Sequence, residues 1–351
     1  MKKVVLFAVF LMLCSSAAMA DTLQLLTWKG YAPKELVDKF EKETGIKVEA
    51  TFSNNEEMIA KLRATRGAGF DLVQPSQDRI SSVQKEFKIY QPIDYKKIDV
   101  GQIVPSMLEA VKKNTLVEGK SYAVPFCWGT SGLVVNGAQV KGATSWKALI
   151  DPQYKGRISY RLKRPALIGL GFALGFDPFA LYADEKGYAA MLAKIEEELI
   201  KAKPLVKNYW ANGDQLLESV RAGEVTVAEA WDNGAWKLHD GNKDIDFVAP
   251  VEGALGWIDT FAIPAKAKNL DAAYKWINFI MKPENSAVFT NAEKTATAAK
   301  GAGKFIDPAF QANFDRSYPQ TVIDKIKWYP PVPAKLEALE GKVLDKIKAA
   351  N

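Results

Sequence analysis

Two short segments carry the residue types that could do chemistry: Ala228-Glu229-Ala230-Trp231-Asp232-Asn233-Gly234 and Gly256-Trp257-Ile258-Asp259-Thr260. Each sets an indole one or two residues from a carboxylate. A flat π face and a fixed negative charge are what a protein needs to hold a desolvated ammonium, because ring quadrupole and carboxylate both attract it. Gly256 to Pro264 alternates apolar residues, so Trp257 and Asp259 are expected on one face of a strand. An acid buried behind an apolar strand is costly unless paired, and Asp232 and Asp259 therefore need partners.

Trp28 and Tyr31 follow the alternating segment Asp21 to Trp28, which reads as a strand. They are either half-buried cover for a sheet or ligand contacts at a strand-to-helix turn, where Gly30 lets backbone come close. Ser76-Gln77-Asp78 is both a possible helix cap and a source of hydroxyl and carboxylate groups. The run Tyr160-Arg161-Leu162-Lys163-Arg164-Pro165 is a solvated turn or an anion clamp at a helix N-terminus, with Arg161 or Arg164 holding a carboxylate or phosphate. Trp146, Trp236 and Trp276 sit on helical patterns and read as core.

The elements that must position these groups alternate. After the first strand come a helix from Pro33 to Gly45, a strand Ile46 to Phe52, a helix Asn54 to Thr65 and a short strand Phe70 to Val73. That order predicts a parallel, doubly wound sheet, whose ligands bind at the carboxyl ends of the strands. Tyr122 to Phe126 is expected to cross into a second lobe, and the chain to cross back near Trp257. The fold class expected is α/β, two doubly wound lobes flanked by helices with a cleft between them. The lobes are 21–124 plus 258–301, and 125–257 plus 302–351.

The N-terminus reads as an export signal: Lys2 and Lys3, the apolar run Val4 to Leu13, and Ala18-Met19-Ala20 as a cleavage site. The run is too short to span a bilayer, and the large Leu13 before Cys14 argues against a lipoprotein. Residues 1–20 are therefore expected to leave a secreted, periplasmic chain. The formal charge of +6, less the two leader lysines, is +4, interspersed and without a basic stripe, so nucleic acid is not an expected partner. Cys127 alone remains after cleavage, which excludes an internal disulfide. His239, the one histidine, reads as a surface residue. A His-rich metal site or a Ser-His-Asp triad has no support, and no cofactor is expected.

In order along the chain, Thr27-Trp28-x-x-Tyr31, Asp71-Leu-Val-x-Pro75-Ser76, Ala123-Val-Pro125-Phe-x-Trp128-Gly129, Trp231-Asp232-Asn-Gly and Gly256-Trp257-Ile-Asp259-Thr-x-Ala-Ile-Pro264 resemble the spermidine/putrescine-binding periplasmic proteins of ABC importers, the PotD-like family. The resemblance covers nearly the whole mature chain. It implies a receptor, not an enzyme, that closes on a small amine-bearing solute and hands it, as a monomer, to a membrane permease. It also implies that Trp28, Tyr31, Ser76, Trp231, Trp257 and Asp259 match the polyamine box. Gln77 stands where the family has an aromatic, Thr295 where a tyrosine is expected, and Arg161 and Arg164 where acids clamp the far amines. Those cations point to an amine that also carries an anionic group: a γ-amino acid, an aminophosphonate or a phosphorylated amine. The alternatives are a true spermidine/putrescine receptor, a ferric-iron receptor using Tyr160, Tyr209 and Tyr318, or a glycosidase with Asp232 and Asp259 as its dyad.

Overall fold

The computed structural model describes residues 21–350; the export signal, its cleavage site and Cys14 lie outside them. Strand β1 (Thr22–Thr27) is the middle of a parallel three-stranded sheet, between β2 (Lys47–Phe52) and β3 (Leu72–Val73). Its two faces are both covered. Leu23 and Leu25 pack with Leu36 and Phe40 of helix α1 (Lys34–Thr44) and with Trp276, while Leu26 packs with Met58, Ile59 and Leu62 of helix α2 (Asn55–Thr65). Helix α1 stops where expected: Gly45 takes φ 72°, and its N–H caps the carbonyl of Glu41. Helix α2 starts at Asn54, whose side chain accepts from the Glu57 N–H.

The second sheet is built differently. Val124–Asn136 is one unbroken strand of 13 residues, so the crossover and the expected start of the second lobe are the same element. It pairs antiparallel with Leu255–Phe261 along its first half and with Val227–Trp231 and Ile245–Val248 along its second. Beyond Val227–Trp231 the pairing is parallel, through Ile158–Tyr160 to Val206–Tyr209. The sheet is therefore mixed rather than purely doubly wound, because a strand arriving from the other lobe runs against those that βα units lay down. Helices Arg164–Ala173, Glu185–Ala202 and Ala334–Ala349 cover it, burying Trp146, Leu167 and Leu192.

Two strands thus connect the lobes side by side, Val124–Asn136 outward and Leu255–Phe261 back. Their register sets Asp259 opposite Cys127 and Trp257 opposite Gly129. Bridges from Ser76 to Asp259 and from Val73 to Ala262 tie the return strand and its exit to the first sheet. No helix among the described residues is long and apolar enough to cross a membrane. Trp146, Trp236 and Trp276 are buried core, whereas His239 is also buried, its Nδ1 2.8 Å from the Ile245 carbonyl oxygen, because the helix carrying it packs directly on that strand. Cys127 is a fully buried free thiol whose pKa burial pushes up.

Candidate functional site

A cleft of about 200 Å³ opens where the carboxyl ends of the first sheet meet the second lobe. Of the residues singled out in the sequence, Trp28, Tyr31, Ser76, Asp78, Arg161, Arg164, Trp231, Trp257 and Asp259 line it.

Asp259 is the centre of the near end. It is 4 % exposed, and two hydroxyls aim at its two oxygens: Ser76 Oγ donates to Oδ1 at 2.5 Å and Tyr31 Oη to Oδ2 at 2.6 Å. Asn55 donates in turn to Ser76 Oγ at 2.9 Å and accepts from the Ser76 N–H at 3.0 Å, so the serine is itself held. Among the described residues no lysine or arginine forms an ion pair with Asp259. Burial pushes its pKa up to about 6, against the pull of the two hydroxyl bonds. A carboxylate desolvated, oriented and left without a cation is a receptor for one.

The rings around it are fixed. Trp28 Nε1 donates to the Gln74 carbonyl oxygen at 2.9 Å, and Tyr31 packs edge-on against Phe126 and Phe289. Trp257 leans over Gly129: a Cβ built there would lie 2.5 Å from its Cζ2. Gly129→Ala is therefore expected to displace the indole, cost about 1–3 kcal/mol of stability and weaken amine binding, read by thermal unfolding and calorimetric titration together.

The far end differs from the clamp expected. Arg161 and Arg164 both line the cleft, but each already has an acid. Arg161 Nη2 is 2.5 Å from Glu229 Oε1, and its Nε 3.2 Å from both oxygens. Arg164 lies 3.5 Å from Asp78 and 3.6 Å from Glu340, and its Nη2 donates to the Tyr182 hydroxyl. Burial raises the Asp78 pKa, which Arg164 and Arg79 oppose. Among the described residues Tyr329 Oη and Trp257 Nε1 are buried without hydrogen-bond partners, and Arg164 Nε and Nη1 have only the ion pairs with Glu340 and Asp78.

Three singled-out residues are not in the cleft. Trp128 packs edge-on against Phe314, 5.9 Å between ring centroids, and tilted on Trp328. Gln77 opens a short 3-10 turn after Ser76 and is 2 % exposed. Asp232 follows Trp231 into a helix, and its carboxylate sits beside Gly129, where a Cβ would lie 2.9 Å from its Oδ1. There it accepts from the Thr130 N–H at 2.8 Å, Tyr318 Oη at 2.7 Å and the Asn233 N–H at 2.8 Å. Burial pushes its pKa up to about 6 as well. Asp232→Ala is expected to strand those donors and lower stability by about 2 kcal/mol while leaving ligand affinity nearly unchanged; a lost affinity at unchanged melting temperature would contradict this placement. Asp232 does not line the cleft that Asp259 lines, so the two do not face one substrate as a glycosidase dyad. Tyr160, Tyr209 and Tyr318 do not line the cleft either, so the iron reading has no ligand set there.

The sequence reading missed Asn55 and Tyr329, which line the cleft, and Glu229, which lies buried against Arg161. Glu229 had a usable signal: two before Trp231 on one strand, it shares the indole's face. Thr295 is taken up by Asn233, whose Nδ2 donates to its hydroxyl at 2.9 Å.

Comparison with known proteins agrees with this architecture. Residues 35–316 match the family described as bacterial extracellular solute-binding protein. The spermidine/putrescine-binding periplasmic protein of Escherichia coli is 33 % identical over 350 residues, 96 % of this chain and 95 % of that one. The putrescine-binding periplasmic protein PotF of Escherichia coli is 27 % identical over 95 % of this chain and 93 % of its own. Among solved structures, the spermidine/putrescine ABC transporter substrate-binding protein PotD of Streptococcus pneumoniae is 26 % identical, with a TM-score of 0.74 over 94 % of this chain and 99 % of that one.

Proposed function

The chain belongs to the bacterial extracellular solute-binding proteins, the two-lobed substrate-binding components of ABC transporters, and from that premise we propose what it captures. The solute is a small molecule with one ammonium group and an anionic or acceptor-rich tail. The ammonium sits on Asp259, stacked against Trp28 and Trp257. The tail is placed toward Arg164 and Tyr329, where it would have to displace the ion pairs that Arg164 makes with Asp78 at 3.5 Å and Glu340 at 3.6 Å. One observation carries this reading: Asp259 is a buried carboxylate, oriented by Ser76 and Tyr31, with no cation of its own.

Capture works by hinge closure. Residues 21–124 plus 258–301 move against 125–257 plus 302–351, and the pairs Lys163–Glu56 at 3.1 Å and Arg164–Asp78 at 3.5 Å join across the mouth. Solute shifts the population toward the closed form, which the permease then recognises. No bond is made or broken. Cleavage after Ala20 releases the chain, as a monomer, into the periplasm; the mass of the exported protein checks the site.

The test is calorimetric titration of refolded, ligand-free protein with γ-aminobutyrate, 2-aminoethylphosphonate, putrescine and spermidine. The reading expects the two zwitterions to bind more tightly than the two polyamines. Putrescine or spermidine binding with neither zwitterion bound would reject the tail assignment and make the chain a polyamine receptor like the relatives' names. Binding of none would reject the ammonium site as well.

A further inference from the structure

A cation is held well by a carboxylate set among aromatic faces, and the far end of the cleft contains that arrangement with its cation already in place. Glu229 is fully buried on the strand Val227–Trp231. The parallel pairing that sets Val227 opposite Ile158 brings Glu229 level with the exit of the neighbouring strand into Arg161. The Arg161 guanidinium lies 4.4 Å from the Trp231 ring centroid and 4.7 Å from that of Trp210, two rings that meet edge to face. Three donors of this one residue meet Glu229: Nη2, Nε and the backbone N–H, the last at 3.1 Å. The guanidinium is therefore not free to clamp an anion. Arg161 and Trp231 line the cleft while Glu229 and Trp210 are buried behind them, so the guanidinium is what plugs the cage on its cleft side.

We propose that Arg161 is a built-in cation that fills a second ammonium cage, made by Glu229, Trp210 and Trp231, and thereby selects solutes with one amine against α,ω-diamines. This rests on the reading of Asp259 as the first ammonium site. A diamine seated on Asp259 would need its second nitrogen in a cage that is already neutralised and physically occupied. A molecule with a single ammonium has no such requirement.

The test uses the full mature chain and the probes putrescine and γ-aminobutyrate. Arg161→Ala empties the cage, leaves Glu229 without its cation, and should tighten putrescine binding by about tenfold or more relative to wild type. Arg161→Lys keeps a cation in the cage and should retain the wild-type preference. Arg161→Ala with Glu229→Gln removes the cage charge and should lose the gain. Equal putrescine affinity in wild type and Arg161→Ala overturns the proposal, as does a gain in Arg161→Lys equal to that of Arg161→Ala. If Arg161→Ala unfolds, millimolar methylguanidinium or putrescine should restore its thermal transition where sodium chloride does not; no restoration overturns the proposal equally. Asp259→Asn separates the two readings. If it abolishes γ-aminobutyrate binding while Arg161→Ala gains no putrescine affinity, this inference alone falls. If it binds γ-aminobutyrate as wild type does, the ammonium site beneath it falls.

Discussion

Asp259→Asn is expected to weaken binding of a single-amine solute by at least about a hundredfold, because it leaves a desolvated ammonium without its counter-charge, a loss of about 3–5 kcal/mol. The replacement is nearly isosteric. The Ser76 and Tyr31 hydroxyls keep an oxygen to bond on one side and meet an amide nitrogen on the other, so the site is disturbed in charge far more than in shape. The protein itself should not suffer. A carboxylate that costs free energy to bury has been removed, and the melting temperature of the ligand-free variant should match or exceed that of wild type. Affinity and stability moving in opposite directions is the signature of a charge kept for a ligand. Calorimetric titration with γ-aminobutyrate checks the first half and thermal unfolding the second. Near-normal affinity would refute the proposed pose, and near-normal affinity with a lowered melting temperature would make Asp259 a structural acid like Asp232.

The contrast between those two acids also marks how far the sequence could be read. Both follow apolar strands and both lie beside an indole, and pattern alone gave them the same role. What separates them is where the strand ends. Asp259 lies within Leu255–Phe261, so alternation holds and Trp257 and Asp259 share the cleft face. Trp231 is the last residue of its strand and Asp232 the first of a helix, which turns the acid through to Tyr318 and Thr130. Periodicity reports a side chain's direction only inside an element. The βα units of the first lobe were legible for the complementary reason: their helices announce themselves by caps such as Gly45 and Asn54, and their strands by alternation. The long strand Val124–Asn136 was legible only in its first residues, because one that serves two cores has no single apolar face.

The charge of the far end shows a second limit. Arg161 and Arg164 read in sequence as a cationic patch, since the acids that neutralise them are distant: Glu229 is 68 residues from Arg161, and Asp78 and Glu340 belong to other elements. Net charge in a cleft is a property of the assembled strands and not of a local run. Once the partners are counted, the far end is close to neutral and the near end is anionic at Asp259.

The two buried acids also set opposite pH dependences for stability and for binding. Each has its folded pKa raised from 3.8 to about 6, with burial as the main cause. A carboxyl whose pKa is higher folded than unfolded binds more protons in the native state, so stability falls as pH rises through that window. The cost of holding each ionised is fully present above about 6 and relieved as pH falls toward 3.8; two units correspond to about 3 kcal/mol per acid. Ligand-free protein should accordingly melt at a higher temperature at pH 5 than at pH 7.5. Asp259→Asn should remove part of that gain, since Asp232, and Asp78 whose pKa burial also raises, carry the rest. Binding must run the other way, because only the ionised form of Asp259 attracts an ammonium. Affinity for γ-aminobutyrate should be level above about pH 7 and fall by about tenfold per unit once pH drops below the pKa near 6. Near that pKa, binding must also expel a proton, visible as a heat that changes with the ionisation enthalpy of the buffer. Melting curves and titrations at the two pH values suffice. A ligand affinity that stays level down to pH 5 would mean that Asp259 does not meet the ammonium, whatever its geometry.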